Sequence, residues 1–238
     1  MTVLRALLFY LVFFGSGALF LTLALPALVL PRRVTIAVGE IWCSLILAAL
    51  RIFCGISHEV RGRANIPDSP CIIAAKHQST WDTFAFPTFI DDGAYVIKKE
   101  LIRIPVYGWL MAKSAMVPVD RAAGARAMRG MVRTARERLA EGRHIVIFPE
   151  GTRTAPGERR TYHPGVAALY SQLAVPVVPV ALNSGLYWRR RGFLKRPGHI
   201  VVEVLPPILP GLARRDFMRR LESAIEEESA RLCRTDNA

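Results

Sequence analysis

Cys71-Ile72-Ile73-Ala74-Ala75-Lys76-His77-Gln78-Ser79-Thr80-Trp81-Asp82 is the stretch that decides the fold. Five apolar residues in an unbroken run read as a buried strand, and the polar residues that follow read as the turn at its C-terminal end. Open α/β sheets place their ligands beyond that end of the strands. His77 and Asp82 stand five apart there. In a continuous helix, residues five apart are about 140° out of register and cannot meet. They do meet if His77 lies on the strand-to-helix turn and Ser79 or Thr80 caps the helix carrying Asp82. A carboxylate on one imidazole nitrogen fixes the tautomer and supports proton transfer at the other. The plainer alternative is a capping Asp beside an unrelated surface His.

Outward from this stretch, short apolar runs alternate with amphipathic ones. Strands are expected at Ala94–Ile97, Ala115–Val119, His144–Phe148, Val177–Leu182 and His199–Leu205. Helices are expected at Trp81–Ile90 with a bend at Pro87, then at Val106–Lys113, Gly124–Glu141, Val166–Leu173 and Arg214–Leu232. In Gly124–Glu141, Met128, Met131, Val132, Ala135 and Leu139 share one face and four arginines another, and Gly142 follows as a C-terminal stop. Strands separated by helices predict a layered α/β domain with a largely parallel sheet flanked by helices.

The N-terminal part differs. The 25 residues from Ala6 to Leu30 carry no charged side chain, more than the roughly 20 that a bilayer-crossing helix needs. This also exceeds the apolar core of a secretory signal. A second apolar stretch, Val34–Leu50, contains Glu40, which is expected at an interface or against protein because a charge at bilayer centre is costly. The pair reads either as a true span followed by an interfacial helix or as a hairpin embedded in one leaflet. The chain therefore divides into N-terminal membrane-embedded helices over 1–56 and a catalytic domain over 57–238.

The 238 residues carry a formal charge of +13, with a mean hydropathy of +0.27. So basic a chain expects polyanions: an anionic membrane surface, a phosphorylated small molecule or nucleic acid. No zinc finger, basic zipper or RNA-binding signature is present, so nucleic acid is set aside. Cys43, Cys54, Cys71 and Cys233 are scattered with no metal-ligand spacing, so neither a metal site nor a disulfide framework is expected.

Three more segments carry chemistry. Phe148-Pro149-Glu150-Gly151-Thr152-Arg153 follows a strand: Pro ends it, Gly permits a tight turn and Arg offers a fork for phosphate. Met116-Val117-Pro118-Val119-Asp120-Arg121 ends another strand with an Arg. Val175-Pro176-Val177-Val178-Pro179-Val180 is an apolar strand that sets the loop Asn183-Ser184-Gly185 beside the site.

These four segments, in this order over roughly residues 58–208, resemble the glycerolipid acyltransferase family, and within it the lysophosphatidic acid acyltransferases. His77-x-x-x-x-Asp82 matches the family's first motif and Phe148–Arg153 its third. The second keeps its terminal Arg121 but lacks the usual Phe. The resemblance implies one-step acyl transfer from acyl-CoA or acyl-carrier protein to the sn-2 hydroxyl of lysophosphatidic acid, giving phosphatidic acid. His77 would be the general base oriented by Asp82, and Glu150, Gly151, Thr152, Arg153 and Arg121 would bind substrate. No metal and no cofactor beyond the thioester co-substrate are implied. The partners would be membrane lipid and the two substrates, with the catalytic domain facing the cytoplasm. Rival readings are an ornithine-type lysolipid as acceptor, which leaves Arg121 and Arg153 without phosphate, and a thioesterase, which shares the base but admits water.

Overall fold

A computed structural model describes residues 2–120 and 124–235. The chain starts with two helices, α1 (Val3–Leu23) and α2 (Arg32–Ala49), the second continued by a π-helical turn over Leu50–Cys54. Gly55, at a left-handed φ of 65°, turns the chain into β1 (Ile56–Arg61). The rest follows as β2 (Ile72–Ala75), α3 (Trp81–Ala85), β3 (Ala94–Lys98), α4 (Tyr107–Lys113) and β4 (Val117–Val119). Then come α5 (Gly124–Ala140), β5 (Ile145–Ile147), α6 (Gly165–Leu173), β6 (Val177–Leu182), β7 (Gly198–Val204) and α7 (Arg214–Thr235).

The strands form one seven-stranded sheet in the order β1-β7-β6-β2-β5-β3-β4. Every pairing is parallel except β6 with β7. All four residues of β2 are buried. Successive strand residues point to opposite faces. Ile73 and Ala75 join the core under α1, α2 and α3, with Ile46, Leu50 and Phe84. Ile72 and Ala74 join the core under α5, α6 and α7, with Met131, Leu169 and Leu221. A strand covered on both sides shows no alternation of polar and apolar residues, which is why it reads as a continuous apolar run.

Two differences from the sequence reading have local causes. Proline has no N–H to donate, so Pro87 ends α3 at Ala85, and a 3₁₀ turn over Phe86–Thr88 replaces the expected bent helix. β1 was not foreseen as a strand. It is an edge strand of sequence Ile-Ser-His-Glu-Val-Arg with only Ile56 fully buried, so its pattern is mostly polar.

The α1–α2 hairpin closes one face of the sheet. Phe9 is fully buried against Trp188, and Phe13 meets Phe84 edge to face. The outer side of the hairpin is apolar and exposed, with Leu7, Leu11, Phe14, Leu19, Ile41 and Leu45 in the open. Both helices are long and apolar enough to cross a membrane. One end of the hairpin is closed on itself, and the other is tied to the loop before β3. Arg5 donates to the Ile52 carbonyl at 3.1 Å, and Arg32 makes a two-pronged bond to Asp92 at 2.5 and 2.8 Å.

Candidate active site

The parallel strands β2, β5 and β6 end on the same edge of the sheet, and the loops that leave them converge. The loop after β2 carries His77, the loop after β5 carries Pro149–Arg153, and the loop after β6 carries Asn183–Leu186. From β2 the chain goes to β3 on one side of the sheet, and from β5 to β6 on the other. The crevice therefore lies where the strand order reverses.

Asp82 is completely buried in the first turn of α3. Its Oδ2 accepts from His77 Nδ1 at 2.9 Å and from the backbone N–H groups of Gln78 and Ser79 at 2.8 and 2.9 Å. Its Oδ1 accepts from Ser184 Oγ at 2.5 Å. Ser79 Oγ accepts the N–H of Trp81 at 3.1 Å and closes the 78–82 turn, while Thr80, at the N-cap of α3, makes no side-chain capping bond. A carboxylate only accepts, so a neutral His77 carries its proton on Nδ1. Nε2 is then a bare lone pair, uncommitted among the described residues. The imidazole is stacked on Phe148, centroids 4.3 Å apart, which fixes the ring plane.

A second network lies behind the loops. Lys76 Nζ, 2% exposed, donates to Glu150 Oε1 at 2.8 Å and to both oxygens of Glu226 on α7 at 2.7 and 2.9 Å. Glu150 Oε2 accepts the backbone N–H of His77 at 2.9 Å. Tyr162 Oη donates to Glu226 at 2.9 Å, and burial together with that carboxylate drives its pKa far up, so it stays a neutral donor. The carbonyl of His77 accepts the Thr154 N–H at 2.8 Å. The two motif loops are thus bonded to each other through main chain and side chain.

His77 opens onto a cavity of about 780 Å³. Around it lie Thr80, Gly151, Thr152, Arg153 and Arg190. The rest of the wall is mainly apolar, with Phe20, Ile36 and Trp42 from the hairpin and Leu110, Met111 and Met128 from α4 and α5, and Glu40 and Lys98 also line it. Arg153 donates to Thr80 Oγ1. Burial, and after it the neighbouring Arg190, push the Arg153 guanidinium below its ordinary value, with Asp82 opposing.

The structure brings His77 and Asp82 together and sets Gly151, Thr152 and Arg153 on the cavity. Glu150 is placed differently from a ligand. Its carboxylate is buried behind the site with both oxygens engaged by Lys76 and the His77 backbone. Arg121 lies outside the described residues. Sequence reading missed Arg190, Glu226 and Tyr162, and it gave Lys76 and Ser184 no bonding role. A lone Lys against a buried strand and one Glu of the Glu226-Glu227-Glu228 run in α7 were the only signals for that network.

A model of the acyltransferase family matches residues 57–183, which contain both motif loops and the Asn183 end of β6. The chain belongs to the acyltransferase family. The acyltransferase is 38% identical over 205 residues to a 1-acyl-sn-glycerol-3-phosphate acyltransferase of Pseudomonas aeruginosa, covering 85% of this chain and 80% of that one. It is 29% identical to the alpha form of the mouse enzyme of that name, covering 84% of this chain and 71% of that one. Its fold matches the crystal structure of the 1-acyl-sn-glycerophosphate acyltransferase from Thermotoga maritima. There the TM-score is 0.73 at 24% identity, over 96% of this chain and 95% of the other.

The buried Lys76 network makes a stability prediction. Lys76→Met leaves two buried carboxylates facing each other, and breaking a buried ion pair costs about 3–5 kcal/mol. At ~2–4 °C per kcal/mol for a domain of this size, the melting temperature should fall by roughly 10 °C. A shift of a degree or two in differential scanning fluorimetry would remove the network from the scaffold.

Proposed function

We propose that this acyltransferase moves a fatty acyl group from a thioester donor, acyl-CoA or acyl-carrier protein, to the sn-2 hydroxyl of lysophosphatidic acid, giving phosphatidic acid. One observation carries the reading. A histidine with Nδ1 committed to a buried carboxylate opens onto a cavity with arginines near it and an apolar wall beyond. An acceptor with a phosphate beside its hydroxyl, and acyl chains on both substrates, is the amphiphile this shape suits. The names of the relatives point the same way.

In the reaction, His77 Nε2 takes the proton of the acceptor hydroxyl as its oxygen attacks the thioester carbonyl. The imidazolium is held by Asp82. The carbon–sulfur bond then breaks, and the leaving thiolate takes the proton back from His77. The new ester holds the acyl group, and no acyl-enzyme forms. Arg153 binds the acceptor phosphate, while Gly151 and Thr152 shape the turn that presents it. No metal ion has a part in these steps.

The hairpin of α1 and α2 embeds in one leaflet rather than crossing. Phe9 and Phe13 of α1 pack on Trp188 and Phe84, and Arg32 of α2 is bonded to Asp92, so the hairpin lies along the catalytic layers, and its exposed apolar side is what remains to meet lipid. The catalytic domain faces the cytoplasm, where thioester donors are made, and Arg32 and Arg33 agree with the positive-inside tendency.

With purified protein, lysophosphatidic acid and labelled acyl-CoA, the label should appear in phosphatidic acid. Label released as free acid would favour a thioesterase. His77→Ala should lower turnover by about 10²–10⁴-fold with the melting temperature kept. Near-normal turnover in that variant would take His77 out of the chemistry.

Arg153→Ala should raise the acceptor KM by about tenfold or more, since hydrogen bonds to charged groups contribute about 1.5–3 kcal/mol. Arg153→Lys should recover part of the loss, because a point charge replaces a planar fork. Equal effects on donor and acceptor KM, with earlier melting, would make Arg153 a brace for its own loop.

A further inference from the structure

We propose that Arg190 is a second ligand for the acceptor's phosphate monoester, and that Lys195, buried against α1, is the residue that positions it. This rests on the acyl-transfer reading above. Arg190 belongs to none of the four motif segments. It lies in Arg189-Arg190-Arg191, within the loop between β6 and β7. It lines the same cavity as His77, Thr80 and Arg153, and its Nη1 donates to the Arg153 carbonyl at 3.3 Å. Two guanidinium groups are thus brought together beside the candidate base. Among the described residues neither is ion-paired with a carboxylate. Arg153 is partly buried and Arg190 exposed; their like charges repel, and an anion placed between them relieves this. A phosphate monoester carries close to two negative charges near neutral pH, enough for two arginine forks.

The donor also carries phosphates if it is acyl-CoA, so the same chemistry has two sources. Position favours the acceptor. In lysophosphatidic acid the phosphate is one carbon away from the reacting hydroxyl, so its ligands must stand close to the base. In acyl-CoA the phosphates are separated from the thioester by the whole pantetheine arm. Arg153, which Arg190 touches, is itself bonded to Thr80, three residues from His77.

The loop is held by a feature the chemistry leaves unused. Its base is closed by the Arg196 N–H donating to the Tyr187 carbonyl at 2.8 Å. Lys195 is 2% exposed and has no carboxylate within ion-pair distance among the described residues. Its Nζ lies over Tyr10 at 3.7 Å, Trp188 at 4.9 Å and Phe9 at 5.0 Å, and it donates to the Phe193 carbonyl at 3.1 Å and to Tyr10 Oη. Phe193 stacks on Tyr10 with centroids 5.1 Å apart. Burial lowers the Lys195 pKa to about 8, so most of it is still charged at pH 7, and the aromatic faces offset part of the lost hydration. Arg189, Arg190, Arg191 and Arg196 are all exposed, so Lys195 is the cation of this loop that turns inward. What it grips is α1, and Arg190 sits five residues away on the same loop.

The test uses full-length protein in phosphatidylcholine vesicles, with each substrate varied in turn. Arg190→Ala should raise the lysophosphatidic acid KM about tenfold, the loss of one charge-assisted bond, and change the acyl-CoA KM less than twofold. Arg190→Lys should regain part of this. Lys195→Met should raise the acceptor KM as well, and the double variant should be no worse than Arg190→Ala alone, because both act through one residue. If Lys195→Met folds poorly, Phe193→Ala loosens the same tie from an exposed position. Acceptor KM unchanged in Arg190→Ala, or donor KM raised as much, overturns the assignment; an additive double variant overturns the role of Lys195. A wild type that makes no phosphatidic acid defeats the acyl-transfer reading instead. A binding readout then still decides the inference. In His77→Ala protein, lysophosphatidic acid should shield Arg190 from phenylglyoxal by peptide mass spectrometry, and an unshielded Arg190 contradicts it.

Discussion

The Asp82 carboxylate is the constraint from which the site follows. A charge with no exposed surface is tolerated in a fold only when its oxygens are bonded, and here four donors from three places meet it: the His77 ring, the Gln78 and Ser79 backbone, and the Ser184 hydroxyl. The first three force the chain after β2 into one tight turn. The fourth draws in the loop after β6. Gly185 beside it also donates its N–H to Gln78 Oε1 at 3.0 Å. A side chain there would press on Pro156 and Gln78, so the approach needs glycine. Behind this knot, Lys76 holds the loop after β5 to α7. The imidazole is therefore positioned by the core rather than by its own loop.

Charge is sorted accordingly. Of the chain's excess cations, Lys76 is neutralised in the interior by Glu150 and Glu226, while Arg126, Arg129 and Arg133 are solvated along the outer side of α5. Arg153 and Arg190 belong to neither group. They stand at a cavity whose farther wall is built partly by the N-terminal hairpin, so the helices suited to lipid also line the catalytic space. On the proposed reading, an amphiphilic substrate meets apolar wall and cation in one chamber.

Much of this was legible in the sequence. β2 and β5 showed as apolar runs because both faces of the sheet are covered, β6 showed as an apolar strand broken by two prolines, and α5 and α7 showed through their helical period. The His77–Asp82 turn was legible because both partners fall within six residues. β1 was not, since an edge strand with one buried residue has almost no apolar pattern. Glu150 was misplaced for a different reason. A Glu in a Pro-Glu-Gly turn looks like a ligand until its partner is known, and Lys76 lies 74 residues earlier, with Glu226 150 residues beyond Lys76. Arg190 sits in a run of three exposed arginines with no period, where only the fold tells which of them borders the cavity.

The proton on the His77 ring is the most direct test of the proposed chemistry. In protein labelled with ¹⁵N-histidine, with His77 assigned by comparison with His77→Ala, nitrogen shifts above the imidazole's pKa report which ring nitrogen is protonated. The account predicts a protonated Nδ1, bonded to Asp82, and a bare Nε2 whose shift moves when lysophosphatidic acid is added. A neutral ring protonated on Nε2 would leave no base facing the acceptor and would contradict it.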